Sequence, residues 1–228
     1  MEVVFDWCNA PDASPESMSL YLFPAGGGEA LRYEFTDCRG GMIRVPVGGY
    51  EALCLNSDTE NVTYRSAERR ETFEVTTRTA DLLSGLSVLG VLSDGVPRVD
   101  GTESERVILP PDMLWSDCAE SVELKPTVGT PTVTLSPEMS ICRYTVEIRN
   151  AANLKYVSGI SGSLSSLAGG LFAGKSETTE ELVTIPFEVT VSADKSTLRG
   201  GLLTFGHCPS KQNRHRPVSY THLRAHET

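Results

Sequence analysis

Apolar and polar residues alternate with a period of two in one short stretch after another, and each stretch runs into a cluster of turn-forming residues. Val3, Phe5 and Trp7 make one such face, Met18, Leu20 and Leu22 a second, and Leu31, Tyr33 and Phe35 a third. Ile43, Val45 and Val47 follow, then Tyr50 to Leu55, Val62 to Arg65 and Thr72 to Thr77. Between them sit Asn9-Ala-Pro-Asp, Pro24-Ala-Gly-Gly-Gly and Asn56-Ser-Asp, residues that preset or tolerate turn dihedrals. With 20 glycines and 13 prolines spread through 228 residues, long helices have no room to form. The pattern predicts a meander of short strands.

Thr79 to Leu92 could begin as a helical turn capped by Thr79 or Asp81, but Gly85 and Gly90 argue against more than two turns. Ser93 to Glu105 is polar and reads as an exposed loop. After the strand Val107-Ile-Leu, ended by Pro110 and Pro111, a second β pattern takes over: Val122 to Lys125, Thr132 to Leu135, and Arg143 to Arg149 with Tyr144, Val146 and Ile148 inward. Val183, Ile185, Phe187 and Val189 form another strand, and Leu198 to Phe205 a further one. With no heptads, solenoid period or βαβ alternation, the chain is expected to be all-β, built of two tandem antiparallel sandwiches. The expected limits are 1–118 for an N-terminal β-sandwich and 119–217 for a truncated C-terminal one. Val218 to Thr228 matches, residue for residue, the in-frame translation of a transposase sequencing adapter, so 218–228 is read as a non-native tail. It is expected to be without structure or to be borrowed as a poor strand. The stretch before it is expected to leave an unnatural sheet edge near Leu198 to Phe205.

Charge narrows the function. Thirty acidic residues against twenty basic ones leave a formal net charge of -10, which repels a phosphate backbone and sets nucleic acid aside as a partner. The greasiest stretch, Leu82 to Leu92, is interrupted by Ser84, Gly85, Ser87 and Gly90 and falls short of the roughly 20 apolar residues of a membrane span. Cys8, Cys38 and Cys54 fall in the first half and Cys118, Cys142 and Cys208 in the second, so they cannot all pair within halves. No pair has the C-x-x-C spacing of zinc ribbons or thioredoxin-like sites, and the cysteines read as small buried hydrophobes and exposed thiols.

Candidate chemistry is thin. Gly169-Gly-Leu-Phe-Ala-Gly174-Lys175-Ser176 satisfies the phosphate-cradling pattern G-x-x-x-x-G-K-[ST]. A working loop of that kind sits between a buried strand and a helix N-terminus. Ser158 to Ala168 is instead Ser/Gly-rich, and Glu177, Glu180 and Glu181 place negative charge where phosphate would sit. A serine nucleophile needs a base, and only His207 and His215 lie outside the tail; Gly159-Ile-Ser161-Gly-Ser also lacks the last glycine of a nucleophile elbow. Asp94, Asp100, Glu103 and Glu105 lack calcium-loop spacing and read as a solvated acidic loop. Asn61-Val-Thr63 matches the short glycosylation pattern, which is common by chance. Trp7 and Trp115 read as core anchors rather than a sugar-stacking platform. No catalytic, cofactor-binding or metal-binding residue is predicted, and no cofactor.

With enzymes demoted, several stretches share a likeness: Val3-Val-Phe-Asp-Trp7, Met18-Ser-Leu-Tyr-Leu-Phe-Pro24, Val45-Pro-Val-Gly48, Tyr50 through Asp58, Tyr144-Thr-Val-Glu-Ile148 and Ser158-Gly-Ile-Ser-Gly-Ser163. Together they resemble the fimbrillin-like lipoproteins of Gram-negative gut anaerobes, the group that includes the anchor subunits of fimbrillin pili. The resemblance implies two transthyretin-like β-sandwich domains, the second incomplete here, and a non-enzymatic role in pilus anchoring, assembly or adhesion. Partners would be other pilus or surface subunits, met by β-strand addition. The intact parent protein would sit at the cell surface, held in the outer membrane by a lipidated cysteine that this sequence lacks. A secreted carbohydrate-binding β-sandwich module is the alternative, marked by a groove lined with exposed Trp or Tyr.

Overall fold

The computed structural model describes residues 1–80, 99–126, 129–210 and 216–223. Among them there is no α-helix, and eighteen strands follow in order. The first nine are β1 (Glu2–Phe5), β2 (Met18–Pro24), β3 (Leu31–Phe35), β4 (Gly40–Met42), β5 (Gly48–Asn56), β6 (Val62–Arg65), β7 (Glu74–Thr77), β8 (Arg106–Val107) and β9 (Trp115–Leu124). The rest are β10 (Thr132–Leu135), β11 (Glu138–Met139), β12 (Cys142–Ile148), β13 (Val157–Ala168), β14 (Gly170–Phe172), β15 (Glu177–Thr178), β16 (Leu182–Val191), β17 (Leu198–Thr204) and β18 (Arg216–Leu223). The helical turn expected from Thr79 lies almost wholly outside the described residues.

Two compact units emerge. The first gathers Met1–Thr76, Asp112–Ile141 and Gly170–Glu177; the second gathers Thr77–Pro111, Cys142–Gly169 and Thr178–Thr228.

In the first unit, a sheet ordered β10-β1-β4 faces one ordered β11-β9-β5-β2-β3. Val3, Phe5, Met18, Leu20, Leu22, Phe35, Ala52 and Cys54 fill the space between them. Met18, Leu20 and Leu22 do share a face, as the alternation requires, yet all six residues from Met18 to Phe23 are buried. The opposite face is covered too. Tyr21 and Phe23 point to Phe73, which stands just before β7, with ring centroids 4.8 and 6.4 Å apart, and Tyr64 of β6 closes on the same ring at 5.3 Å. A third layer, the sheet β15-β14-β7-β6, is thereby attached. Burial lifts the Tyr64 phenol to about 12. Each fully buried Leu or Phe contributes roughly 1.5–3 kcal/mol, so the central sheet is held from both sides.

Trp7 departs from the expected strand. Asp6 accepts from the Cys8 N–H and caps a 3-10 turn over Trp7–Asn9, which turns the indole toward Trp115 edge-on at 6.3 Å while its Nε1 donates to Cys38 O at 2.7 Å. The expected strand at Ile43 to Val47 is shorter and earlier, because β4 pairs with β1 only through Gly40, Gly41 and Met42. Strand β9 runs without a break from Trp115 to Leu124, where the sequence pattern starts a strand only at Val122, and it carries a bulge opposite Tyr50 and Ala52.

The second unit is one sheet, β12-β17-β16-β13-β18, with β8 added parallel to β16. Its apolar face carries Leu164, Val183, Ile185, Phe187 and Leu202, with Tyr144, Val146 and Val189 partly buried beside them, which is the inward set the alternation requires. Strand β17 is no free edge. It pairs with β12 along its whole length and with β16 at Val189–Val191, because β12 folds back antiparallel onto it.

Candidate strand-acceptor edge

The long central strand of the second unit is one that sequence pattern does not announce. Ser158 to Ala168 reads as too rich in serine and glycine for a buried strand, yet it forms most of β13, which spans 12 residues. Two ladders build it: β16 on one side from Ser161↔Glu188 to Ala168↔Leu182, and β18 on the other from Val157↔Leu223 to Ser165↔Arg216. Ser161, Ser163 and Ser165 alternate on one face and are at most 5 % exposed. β-Propensity is weak evidence here, since main-chain bonds to two neighbours outweigh the roughly 1 kcal/mol span of the side-chain scale.

A buried carboxylate fixes the far end of this strand. Glu105, expected in a solvated loop, is 5 % exposed. Its Oε2 accepts from the Ser166 N–H at 2.9 Å and from the Thr184 hydroxyl at 2.8 Å, and its Oε1 accepts from the Ser166 hydroxyl at 3.0 Å. Ser166 sits at φ +63° in the bulge between Leu164 and Leu167, so its N–H has left the ladder and needs that acceptor. Nearby, Arg106 holds Glu181 with a two-pronged bond of 2.8 and 3.0 Å and donates to Thr77 O at 3.2 Å, fastening β8 to β16. Asp94 lies outside the described residues.

The two flanks of this sheet differ in chemistry. On the β12 side, Glu147 is paired with Arg149 and with Arg199, and bonds from Arg149 and then Arg199 hold its carboxyl below the usual carboxylate range. Exposed charges of this kind discourage further pairing. On the β13 side the outermost position is taken by Arg216–Leu223. Residues 218–223 belong to the stretch read as a tail, and they are borrowed as a strand; 224–228 lie outside the described residues.

The motifs read from sequence find structural places. Gly170 to Thr178 is a β-hairpin: β14 pairs with β7, the Lys175 N–H returns to Phe172 O at 3.0 Å, and no helix follows. Gly174 is required there, because a Cβ would stand 2.2 Å from Arg70 O. Arg70 is buried beneath this turn, donates to Gly174 O and pairs with Glu51 at 3.2 Å. Ser161 is buried in β13, while His207 is exposed with its Nε2 3.2 Å from the Tyr144 hydroxyl; His215 lies outside the described residues. Trp7 and Trp115 pack on each other, as core anchors do. A groove of about 620 Å³ in the first unit is bounded by Phe23, Pro24, Gly27, Glu51, Glu71 and Glu120. All six cysteines carry free thiols, and burial pushes those of Cys54 and Cys118 up. Among the described residues, no group of three or more His, Cys, Asp or Glu could hold a metal ion.

Layered, mostly antiparallel sheets define an all-β, sandwich-type fold. The chain belongs to the family described as "Domain of unknown function (DUF5119)", whose profile matches residues 1–188. It is 24 % identical over 197 residues to a protein of Bacteroides ovatus named "Putative fimbrium anchoring subunit Fim4B". That match covers 86 % of this chain and 54 % of the relative, so the chain spans about half the relative's length. Its fold matches the crystal structure of a "putative adhesin" from Bacteroides ovatus with a TM-score of 0.70 at 19 % identity, over 97 % of this chain and 81 % of the other. The fimbrial anchor protein Mfa2 from Porphyromonas gingivalis matches with a TM-score of 0.51 at 15 % identity, over 95 % and 74 %. The fimbrillin-like resemblance carried by Val3–Trp7, Met18–Pro24 and Tyr144–Ile148 is thus borne out.

Proposed function

We propose that the protein acts without catalysis, as a surface subunit that anchors or assembles a fimbrium or adheres to a surface, and that it takes a partner's β-strand on the outer edge of β13. One observation carries this reading. That edge holds a ladder from Val157 to Ser165 against a short terminal stretch, Arg216–Leu223, that the sequence pattern does not announce as a strand of this sheet. Affinity in such a pairing comes from main-chain hydrogen bonds, so the edge accepts a strand with little regard to its side chains. Relatives named as a fimbrium anchoring subunit and a fimbrial anchor support the pilus setting. The parent protein would reach the outer membrane through a lipid anchor, and its partners would be other pilus or surface subunits.

Hydrogen exchange in the presence and absence of a purified fimbrial subunit tests this. With 216–228 removed, those amides of 157–165 that bond β18 rather than β16 are expected to lose protection and to regain it when the subunit is added. A subunit that binds tightly while these amides stay unprotected refutes the β13 edge as the docking site. A carbohydrate-binding role is less well supported, since Trp7, Trp115, Tyr21, Tyr33, Tyr50, Tyr64 and Tyr144 are each buried or half-buried.

A further inference from the structure

The outer rim of β13 is divided, and the division bears on how the edge described above opens and closes; its meaning rests on β13 being a strand acceptor. Two segments of the chain lie on that rim end to end. Gly206 and His207 take its last residues: the Ala168 N–H donates to Gly206 O at 3.0 Å, and Leu167 bridges His207 antiparallel. Arg216–Leu223 takes Val157 to Ser165, also antiparallel. The step from Leu167 to Ser165, two residues on β13, is answered by nine on the opposite side, from His207 to Arg216. The rim therefore carries two separate pairings, and the second can leave without unzipping the first.

Two prolines show which main-chain groups face the rim. Pro186 stands opposite Ser163 and Pro217 opposite Leu164, and neither has an N–H to give. Bonded and non-bonded pairs alternate along an antiparallel ladder, so Ser161, Ser163 and Ser165 bond outward to Arg216–Leu223, while Gly162 and Leu164 bond inward to β16. Ser166 breaks this rhythm. Its φ of +63° turns the N–H off the rim and onto the buried Glu105 carboxylate at 2.9 Å. Beyond it the Gly206–His207 pairing has fastenings of its own: the Thr178 hydroxyl donates to His207 O at 2.9 Å, and the Cys208 thiol to Glu180 O at 3.3 Å.

We propose that the bulge held by Glu105 is an insulator, which confines the opening of the rim to Val157–Ser165 and keeps Leu167 and Ala168 paired when that segment is vacated. In a continuous ladder each lost pair leaves the next one at the end, so opening spreads. A bulge whose N–H is already satisfied by a carboxylate loses nothing when the pair at Ser165 opens. Glu105 is thus a positioning residue that acts through Ser166, and the occupant it isolates is the chain's own Arg216–Leu223.

Proline substitution in the full chain provides the test, because it acts on the main chain. Val218→Pro removes the N–H that bonds Ser163, and the amides of Ser161, Ser163 and Ser165 are expected to exchange about five- to tenfold faster, the factor one lost hydrogen bond gives, while Ser166 and Ala168 stay within about twofold of the parent. Ser219→Pro, at a non-bonded position opposite Gly162, is expected to leave these amides unchanged. Combined with Glu105→Ala, and to a smaller degree with Glu105→Gln, Val218→Pro is expected to speed Ala168 as well, by about fivefold relative to the Glu105 variant alone. A merely structural role for Glu105 would move Ala168 in the single variant and add nothing in the pair. If Val218→Pro speeds Ala168 in the parent background, or adds nothing there in either Glu105 background, the insulator is wrong and the strand-acceptor reading survives. If Ser161, Ser163 and Ser165 exchange freely in the parent chain, no strand is held and both readings fall.

Discussion

Strand β2 of the first unit and strand β13 of the second are both central and both buried, yet they are held by opposite chemistry. Met18 to Phe23 gives Leu20 and Leu22 to one apolar layer and Tyr21 and Phe23 to another, so removal of side chains from water stabilises it on two faces. Strand β13 offers Ser161, Ser163 and Ser165 to one face and leaves its bulge tied to a buried carboxylate. Apolar packing is indifferent to direction and tolerates repacking, whereas a polar ladder is only as good as its last satisfied donor.

Changing Phe73 to Ala should break this contrast from the apolar side. The ring is fully buried against Tyr21, Phe23 and Tyr64, and its loss is expected to cost about 3–5 kcal/mol by denaturant unfolding. Exchange protection should fall first in β2 and β7, and an equal loss in β13 would show that the two regions are not distinct.

Replacing Glu105 by Gln attacks the polar side. An amide nitrogen would then confront the Ser166 or Thr184 donors, leaving a buried hydrogen bond unmade at a cost of about 1–3 kcal/mol. Faster exchange should appear at Ser166 and spread along β13 while β2 stays protected; a variant as stable as the parent would show that the carboxylate does not hold the strand.

Arg106→Lys keeps the charge but loses the fork on Glu181. Both side chains are partly exposed, so a loss of at most about 1 kcal/mol is expected, seen as weaker protection at Val107 and Ile108. Anything above the effect of Glu105→Gln would move the centre of the second unit's stability to β8.

The smallest effect concerns acid. Bonds from Ser192 and Ser196 lower the Asp194 carboxyl from 3.8 to about 2 in the turn between β16 and β17. A folded-state value below the unfolded one stabilises above the unfolded value, and that contribution fades as pH falls from near 3.8 toward 2. Asp194→Asn is therefore expected to flatten the acid limb of a stability-versus-pH curve only within this window. The parent and the variant should differ by a constant amount from pH 5 to 8, and a difference that changes with pH across that range would contradict the assignment.

Strand existence in the first unit was legible because its alternation is apolar: Val3 and Phe5, Met18 to Leu22 and Leu31 to Phe35 all report burial directly. What stayed hidden were facts that alternation does not encode. The third layer on β2 shows only as extra aromatics at Tyr21 and Phe23, and a period-two reading assigns those to solvent. Strand β13 was hidden because serine contributes no hydrophobic signal, although the every-second-residue recurrence Ser161, Ser163, Ser165 was itself a trace of a pleat. Glu105 was misplaced for a similar reason, since composition does not tell a loop carboxylate in water from one that closes a bulge. The phosphate-loop pattern failed in the opposite direction, its letters matching while Gly174 serves a close backbone approach to Arg70.

Strand β1 sits in the middle of its sheet, parallel to β10 and antiparallel to β4, and the Met1 amine donates to Ile43 O at 3.0 Å. Traction on Met1 along the strand axis would load both flanking ladders in shear at once, so their bonds must yield together instead of peeling in turn. A tether leaving from that point would hold against flow far better than one attached at Leu223 on the rim of the other sheet, and force spectroscopy with handles at each site would read the difference as two separate rupture forces.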